Sequence, residues 1–121
     1  MESEDAIEAL GALSLKARLD TFRLLVKHGP DGIAAGEVAR LMGMQQNTMS
    51  NHLAVLSRAG LVSGERQSRS IIYRAELDRL RELTLFLVKD CCFGNPALCQ
   101  PLVAELTPCC SAAEKGSGNA C

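Results

Sequence analysis

The cysteines are the residues of this sequence best suited to chemistry. None of the six lies before residue 91, so all are confined to the C-terminal part of the chain. The acidic residues 1–5 lack the basic-then-apolar pattern of a secretory signal, and no apolar run is long enough to cross a bilayer. We therefore predict a cytoplasmic protein without membrane association, in which thiols stay reduced. Cysteines in that compartment favour ion binding or redox chemistry over structural disulfides.

Three of the thiols, Cys91, Cys92 and Cys99, are close enough in sequence to bind one small ion. Neighbouring side chains in a regular helix point about 100° apart, but Gly94 and Pro96 interrupt the helix at this point, which relaxes that constraint. Three thiolates without imidazole or carboxylate form a soft ligand set. The segment therefore predicts a site for a thiophilic ion at Cys91, Cys92 and Cys99.

The cysteines leave alternatives open. Cys109 or Cys110 could add a fourth ligand for zinc, and the same thiols could act as a redox switch or simply pack. Residues 107–121 are dominated by small and polar side chains, which predicts a disordered tail whose cysteines have no function. An enzyme is not expected, because nucleophilic cysteines usually lie at helix N-termini, whereas Cys91 and Cys92 follow a helix C-terminus.

The length and the aliphatic composition predict a single, mainly α domain. Five helices are expected. The first starts at Ser3 as its cap and has an apolar face of Ala6, Ile7, Leu10 and Leu13. The others cover residues 15–28, 36–42, 46–59 and 76–90. A two-stranded hairpin, with strands at 61–62 and 70–73 and a loop at 64–69, separates the last two helices. This order predicts a winged helix-turn-helix, and the apolar end of the last helix predicts a homodimer through the terminal helices.

The fourth predicted helix and the hairpin carry the residues suited to reading DNA. Residues 40–74 contain five arginines against a single acidic residue, Glu65, as a phosphate-binding segment requires. Short polar side chains on the helix could approach base edges, whereas the larger and cationic ones suit phosphate contacts. The predicted DNA-binding residues are Gln46, Asn47, Thr48, Ser50, Asn51, His52 and Arg58 on the helix, and Arg66, Ser68 and Arg69 in the hairpin.

The motifs of residues 36–74 resemble the ArsR/SmtB family of metalloregulatory repressors, and the resemblance extends over roughly residues 6 to 92. It rests on Glu37-Val38-Ala39, Gly43, Ser50-Asn51-His52-Leu53, Leu56, Ala59-Gly60-Leu61-Val62 and Ile71-Ile72-Tyr73-Arg74. The resemblance implies a repressor that binds a double-stranded operator, and docking as a dimer predicts that this operator is nearly palindromic. We predict that residues 1–106 form the DNA-binding and dimerisation domain, including the ion-sensing segment 91–99.

The same family places its inducer sites at several positions, and two of them are missing from this sequence. Residues 36–42 contain no thiol, and residues 76–90 contain no histidine for a zinc site. Segment 91–99 instead resembles the inducer site of an arsenic-responsive subgroup with Cys-Cys and a later Cys. That resemblance implies release of the operator on binding arsenic(III), with antimony(III) as a near equivalent and no cofactor in the repressing form. Methylated arsenicals, cadmium and zinc remain alternative inducers.

Overall fold

A computed structural model describes residues 1–88 of the chain, and residues 1–86 of these form one unit. Five helices and three short strands follow one another in the order of a winged helix-turn-helix, which confirms the predicted fold class. The elements are α1 (Ser3–Ala12), α2 (Lys16–His28), β1 (Ile33–Ala34), α3 (Ala35–Met42), α4 (Gln46–Arg58), β2 (Val62–Gln67), β3 (Ser70–Ala75) and α5 (Leu77–Val88).

The first helix is held at both ends by polar contacts. Its cap is Glu2 rather than the predicted Ser3, and the Glu2 backbone N–H donates to Asp5 Oδ2 at 3.1 Å. At the other end, Arg18 Nε of α2 donates to the Ala12 carbonyl at 2.7 Å. Because the last carbonyls of a helix have no partner within it, this bond satisfies one of them and fixes α2 against the end of α1.

The helix-turn-helix itself consists of α3, a turn over residues 43–45, and α4. Gly43 ends α3 in the left-handed region at φ 66°, a conformation in which a glycine avoids a steric penalty. Gln45 then precedes α4 and makes no side-chain capping bond, as the sequence predicts for a glutamine at that position. The turn therefore depends on Gly43, and the start of α4 has no side-chain cap.

The core forms around the inner face of α4. Met49, Leu53 and Leu56 are fully buried, as their spacing predicts. The prediction for α1 was right for Ala6 but wrong for Ile7 and Leu10, because the buried residues of this helix are Ala6, Ala9 and Ala12. Small side chains let α1 pack closely against α4, so that the bulky Ile7 and Leu10 remain exposed, Ile7 with 67% of its surface.

The wing is longer and its turn tighter than the sequence indicates. Strands β2 and β3 pair in antiparallel register from Val62 opposite Ala75 to Gln67 opposite Ser70. The loop is therefore only Ser68 and Arg69 instead of residues 64–69. A third strand, β1, adds to β3, so the predicted two-stranded wing is part of a three-stranded sheet. The two residues of β1 are too few to show an alternating pattern in the sequence.

Gly32 is the glycine on which the sheet depends most directly. It lies just before β1 at φ +78°, and a Cβ there would lie 2.6 Å from Ile72 Cγ2 and 2.8 Å from the Tyr73 carbonyl oxygen. Gly32→Ala should lower the free energy of unfolding by about 2–4 kcal/mol, because backbone strain and overpacking act together. Urea denaturation followed by circular dichroism measures this change.

Gly11 in α1 is the matched control for that substitution. A Cβ at Gly11 would have no neighbour within 4 Å, so Gly11→Ala should raise stability by about 0.5–1 kcal/mol through helix propensity. Equal effects of the two substitutions would contradict the role given to Gly32.

Within residues 1–88, no helix has both the length and the hydrophobicity required to cross a membrane.

Candidate nucleic-acid interface

The outer face of α4 presents short polar side chains to solvent. Met49, Leu53 and Leu56 turn the opposite face into the core. All five residues predicted to contact bases are exposed: Gln46, Asn47, Thr48, Ser50 and Asn51. They offer amide and hydroxyl groups without a bulky side chain among them, which is the surface required for close approach to base edges.

The two other predicted residues of α4 differ in their exposure. His52 is half-buried, whereas Arg58 is exposed in the last turn of the helix. Arg58 therefore puts a cation at the end of the helix opposite to Gln46. The burial of His52 suits a residue that braces the helix more than one that reaches far into a groove.

The residues of the wing that are predicted to bind DNA lie near the tip of the hairpin. Arg66 lies within β2, close to its end, and Arg69 lies in the turn, both exposed. Ser68 has φ 60°, the positive value that a two-residue hairpin turn requires at one or both central positions. The tight turn therefore brings two arginines together at the end of a narrow hairpin.

The five arginines of residues 40–74 are not equivalent in the structure. Arg40 Nε donates to Glu37 Oε1 at 2.9 Å. This hydrogen bond lowers the pKa of the Glu37 carboxyl and raises the pKa of Arg40. Arg74 donates to the Pro30 carbonyl at 3.1 Å and lies 3.2 Å from Glu65.

The other three arginines of that segment, Arg58, Arg66 and Arg69, have no ion pair with any residue in the range 1–88. Of these five arginines they are the best available for phosphate groups, because no acidic side chain within residues 1–88 pairs with them. The pair of Arg40 with Glu37 lies within one helix at a spacing of three residues, so the sequence offered a signal for it that was missed. The partner of Arg74 depends on strand register and has no such signal.

A set of contacts between the start of α5 and the end of α4 was not predicted. The Glu76 N–H donates to the Leu61 carbonyl at 2.8 Å, and Arg79 Nε donates to the Ala59 carbonyl at 3.2 Å. Ser63 Oγ also donates to the Glu76 carboxylate. We call these five residues the α4–α5 junction. No local pattern in the sequence indicates it, because the partners lie 13 to 20 residues apart.

The predicted ion ligands Cys91, Cys92 and Cys99 lie outside the described residues, as do the whole of segment 89–106 and the tail 107–121. The ion site therefore stays a prediction. Within residues 1–88, no group of three His, Cys, Asp or Glu side chains is arranged to hold a metal ion.

Comparison with known proteins identifies the scaffold. Residues 13–65 match a family described as "Helix-turn-helix domain". The "HTH-type transcriptional regulator YgaV" of Escherichia coli (strain K12) is 34% identical over 71 residues, which cover 59% of this chain and 70% of that protein.

Two solved structures resemble the chain in fold and sequence. The homodimeric winged helix-turn-helix DNA-binding domain Mb0332 of Mycobacterium bovis, described as a possible ArsR-family regulator, has a TM-score of 0.59 at 29% identity, covering 70% of this chain and 77% of that one. NolR from Sinorhizobium fredii has a TM-score of 0.58 at 30% identity, covering 72% and 84%. Together with the fold and the surface of α4, these similarities show that the chain belongs to the ArsR family of winged helix-turn-helix transcriptional regulators.

Proposed function

We propose that this protein is a repressor that binds a near-palindromic operator as a homodimer and releases it when trivalent arsenic binds Cys91, Cys92 and Cys99. The observation that supports DNA binding most strongly is the exposed polar face of α4, together with the nearby arginines that form no ion pair within residues 1–88. Antimony(III), which has the same preference for three thiolates, is a second expected inducer.

In this proposal, α4 enters the major groove and the wing contacts the flanking backbone. The amides and hydroxyls of Gln46, Asn47 and Ser50 are the types of group that pair with base edges. Arg58 contacts phosphate from the helix, and Arg66 and Arg69 contact phosphate or the adjacent minor groove from the wing tip. Phosphate contacts supply affinity, and the side chains of α4 supply sequence preference.

The homodimer is supported by apolar side chains on the terminal helices. Ile7 and Leu10 of α1 and Leu85 of α5 are exposed, with 67%, 43% and 58% of their surface accessible. The Mb0332 domain, which has the same fold, is homodimeric. Two copies related by a twofold axis would contact two half-sites one or two helical turns apart, so the operator should be nearly palindromic.

The inducer half of the proposal is supported by ligand chemistry. Cys91 and Cys92 follow α5 within a few residues, and three thiolates suit trivalent arsenic, whose lone pair fills the fourth direction. If arsenic lowers the affinity for the operator, the operator must lower the affinity for arsenic by the same factor, typically about 5- to 150-fold. The repressing form needs no cofactor in this scheme.

The proposal is tested by operator binding measured with fluorescence anisotropy. The DNA is a duplex selected from a random-sequence library by the purified protein, titrated in turn with arsenite, antimonite, zinc, cadmium and hydrogen peroxide. Dissociation by arsenite and antimonite alone supports the proposal. Dissociation by zinc or cadmium but not arsenite would assign another thiophilic ion, and dissociation by peroxide alone would make the cysteines a redox switch.

Arg58 and Arg69 give a separate test of the DNA surface. Arg58→Met or Arg69→Met should weaken binding to all duplexes and make the slope of log K against log salt less steep by about two, because both subunits lose one phosphate contact. Arg81→Met is the matched control, since Arg81 is exposed on α5 and, within the described part of the chain, pairs only with Asp78. A salt slope equal to that of the control would show that Arg58 and Arg69 do not contact DNA.

A further inference from the structure

The α4–α5 junction attaches the first turn of α5 to the segment that follows the DNA-reading helix. Every second residue of that segment takes part. Ala59 and Leu61 accept hydrogen bonds through their carbonyls, and Ser63 donates one from its hydroxyl. Their partners are Glu76 and Arg79. The bond from Arg79 to Ala59 joins α5 to the end of α4. The other two join residues 61–63 to Glu76, the residue before α5.

Within this junction, Arg79 caps the end of α4. Ala59 is the C-cap residue of that helix, and its carbonyl accepts the bond from Arg79 Nε. A cation at this position is favourable, because the terminal carbonyls of a helix lack internal partners and carry partial negative charge. The Arg79 side chain is only 26% exposed, so the contact is not a loose surface pair.

Gly60 makes this close approach possible. It has φ +79°, and a Cβ at Gly60 would lie 3.0 Å from Arg79 Nε and 3.4 Å from its Cζ. The guanidinium therefore lies directly against the backbone of Gly60. The absence of a side chain at Gly60 is what allows Arg79 to reach the end of α4.

The terminal nitrogens of the guanidinium lie near two acidic side chains, one on α1 and one on α5 itself. Asp5 of α1 lies 3.8 Å from Arg79, and Glu82, one turn along α5, lies 3.5 Å away. A single side chain thus joins the end of the DNA-reading helix to both helices on which the proposed dimer depends. Any rotation of α5 that displaces Arg79 must break its bond to Ala59 or move the end of α4.

We infer that Arg79 is a positioning residue for operator binding: it holds the end of α4 against α5 and transmits movement of α5 to the DNA-reading face. The part of this inference that concerns DNA rests on the proposed function. The part that concerns the position of α4 does not, because it follows from the hydrogen bond between Arg79 and Ala59.

Hydrogen–deuterium exchange tests the position of α4 without DNA. Residues 55–61 in Arg79→Met should exchange about five- to tenfold faster than in the unaltered chain, because a charge-assisted bond at the helix end is lost. Arg81→Met removes the same charge from the same helix and should leave this exchange unchanged. Equal exchange in the two variants overturns the inference. Arg79→Gln provides the same comparison if the methionine variant does not fold.

Operator affinity at several salt concentrations tests the transmitted effect. Arg79→Met should bind the selected duplex about tenfold more weakly with an unchanged salt slope, and Arg79→Lys should recover part of the loss. A less steep salt slope for Arg79→Met would indicate that Arg79 contacts phosphate. An operator affinity of Arg79→Met equal to that of Arg81→Met would show that Arg79 does not couple α5 to DNA binding. Either result overturns the inference. If the unaltered protein selects no duplex, the proposed function fails, and hydrogen exchange alone decides the role of Arg79.

Discussion

Cys91→Ser should abolish the release of the operator by arsenite while operator affinity in the absence of arsenite stays unchanged. Trivalent arsenic forms three bonds to sulfur in the proposed site, and a serine hydroxyl is a hard oxygen that stays protonated at neutral pH. The same result is expected for Cys92→Ser and Cys99→Ser. Anisotropy titration of the operator complex with arsenite measures the response of each variant.

Cys121→Ser is the matched control for these variants, because it removes a thiol from the same part of the chain without touching segment 91–99. Its response should equal that of the unaltered protein. Loss of the response in Cys109→Ser but not in Cys99→Ser would move the site toward the tail. A response that survives Cys99→Ser alone would indicate a ligand that needs two thiolates, as a methylated arsenical does.

Ile7→Glu should convert the proposed dimer to a monomer and weaken operator binding by about 100-fold or more. A carboxylate at this position would have to be buried without a partner in a subunit interface, which costs more than the apolar contact it replaces. A monomer also loses the second half-site, which binds with the benefit of a high effective concentration once the first is bound. Sedimentation equilibrium gives the association state, and anisotropy gives the affinity.

Leu41→Glu serves as the control for association state. Leu41 lies on α3 and is 49% exposed, so the substitution introduces the same charge at a comparable surface leucine outside the terminal helices. Its association state should match that of the unaltered protein. A dimer that persists in Ile7→Glu would exclude α1 from the interface and leave α5 as the remaining candidate, testable by Leu85→Glu.

The parts of the fold that the sequence predicts well are those with a local signal. The spacing of Met49, Leu53 and Leu56 indicates which face of α4 is buried, and the polar residues predicted to face DNA are exposed as a direct consequence. Gly43 indicates the end of α3 for an equally local reason, its left-handed conformation. Periodicity and turn chemistry are sufficient for these elements.

The parts that were missed depend on contacts between distant residues. Hydrophobicity favours Ile7 over Ala9 for the inner face of α1, but the close approach of α1 to α4 selects the smaller side chain. The pairing of Arg74 with Glu65 depends on strand register, and the bond from Arg79 to Ala59 depends on the packing of α5. None of these follows from a pattern within one element.

In the proposed dimer, the alanines on the inner face of α1 separate folding from association. Because Ala6, Ala9 and Ala12 make the contacts with the core, the side chains at Ile7 and Leu10 can change without altering how the domain folds. A cell that contains several related chains could thus acquire distinct self-recognising versions through changes at these outer positions. Pairing preference and fold stability are then encoded by different residues of the same ten-residue helix.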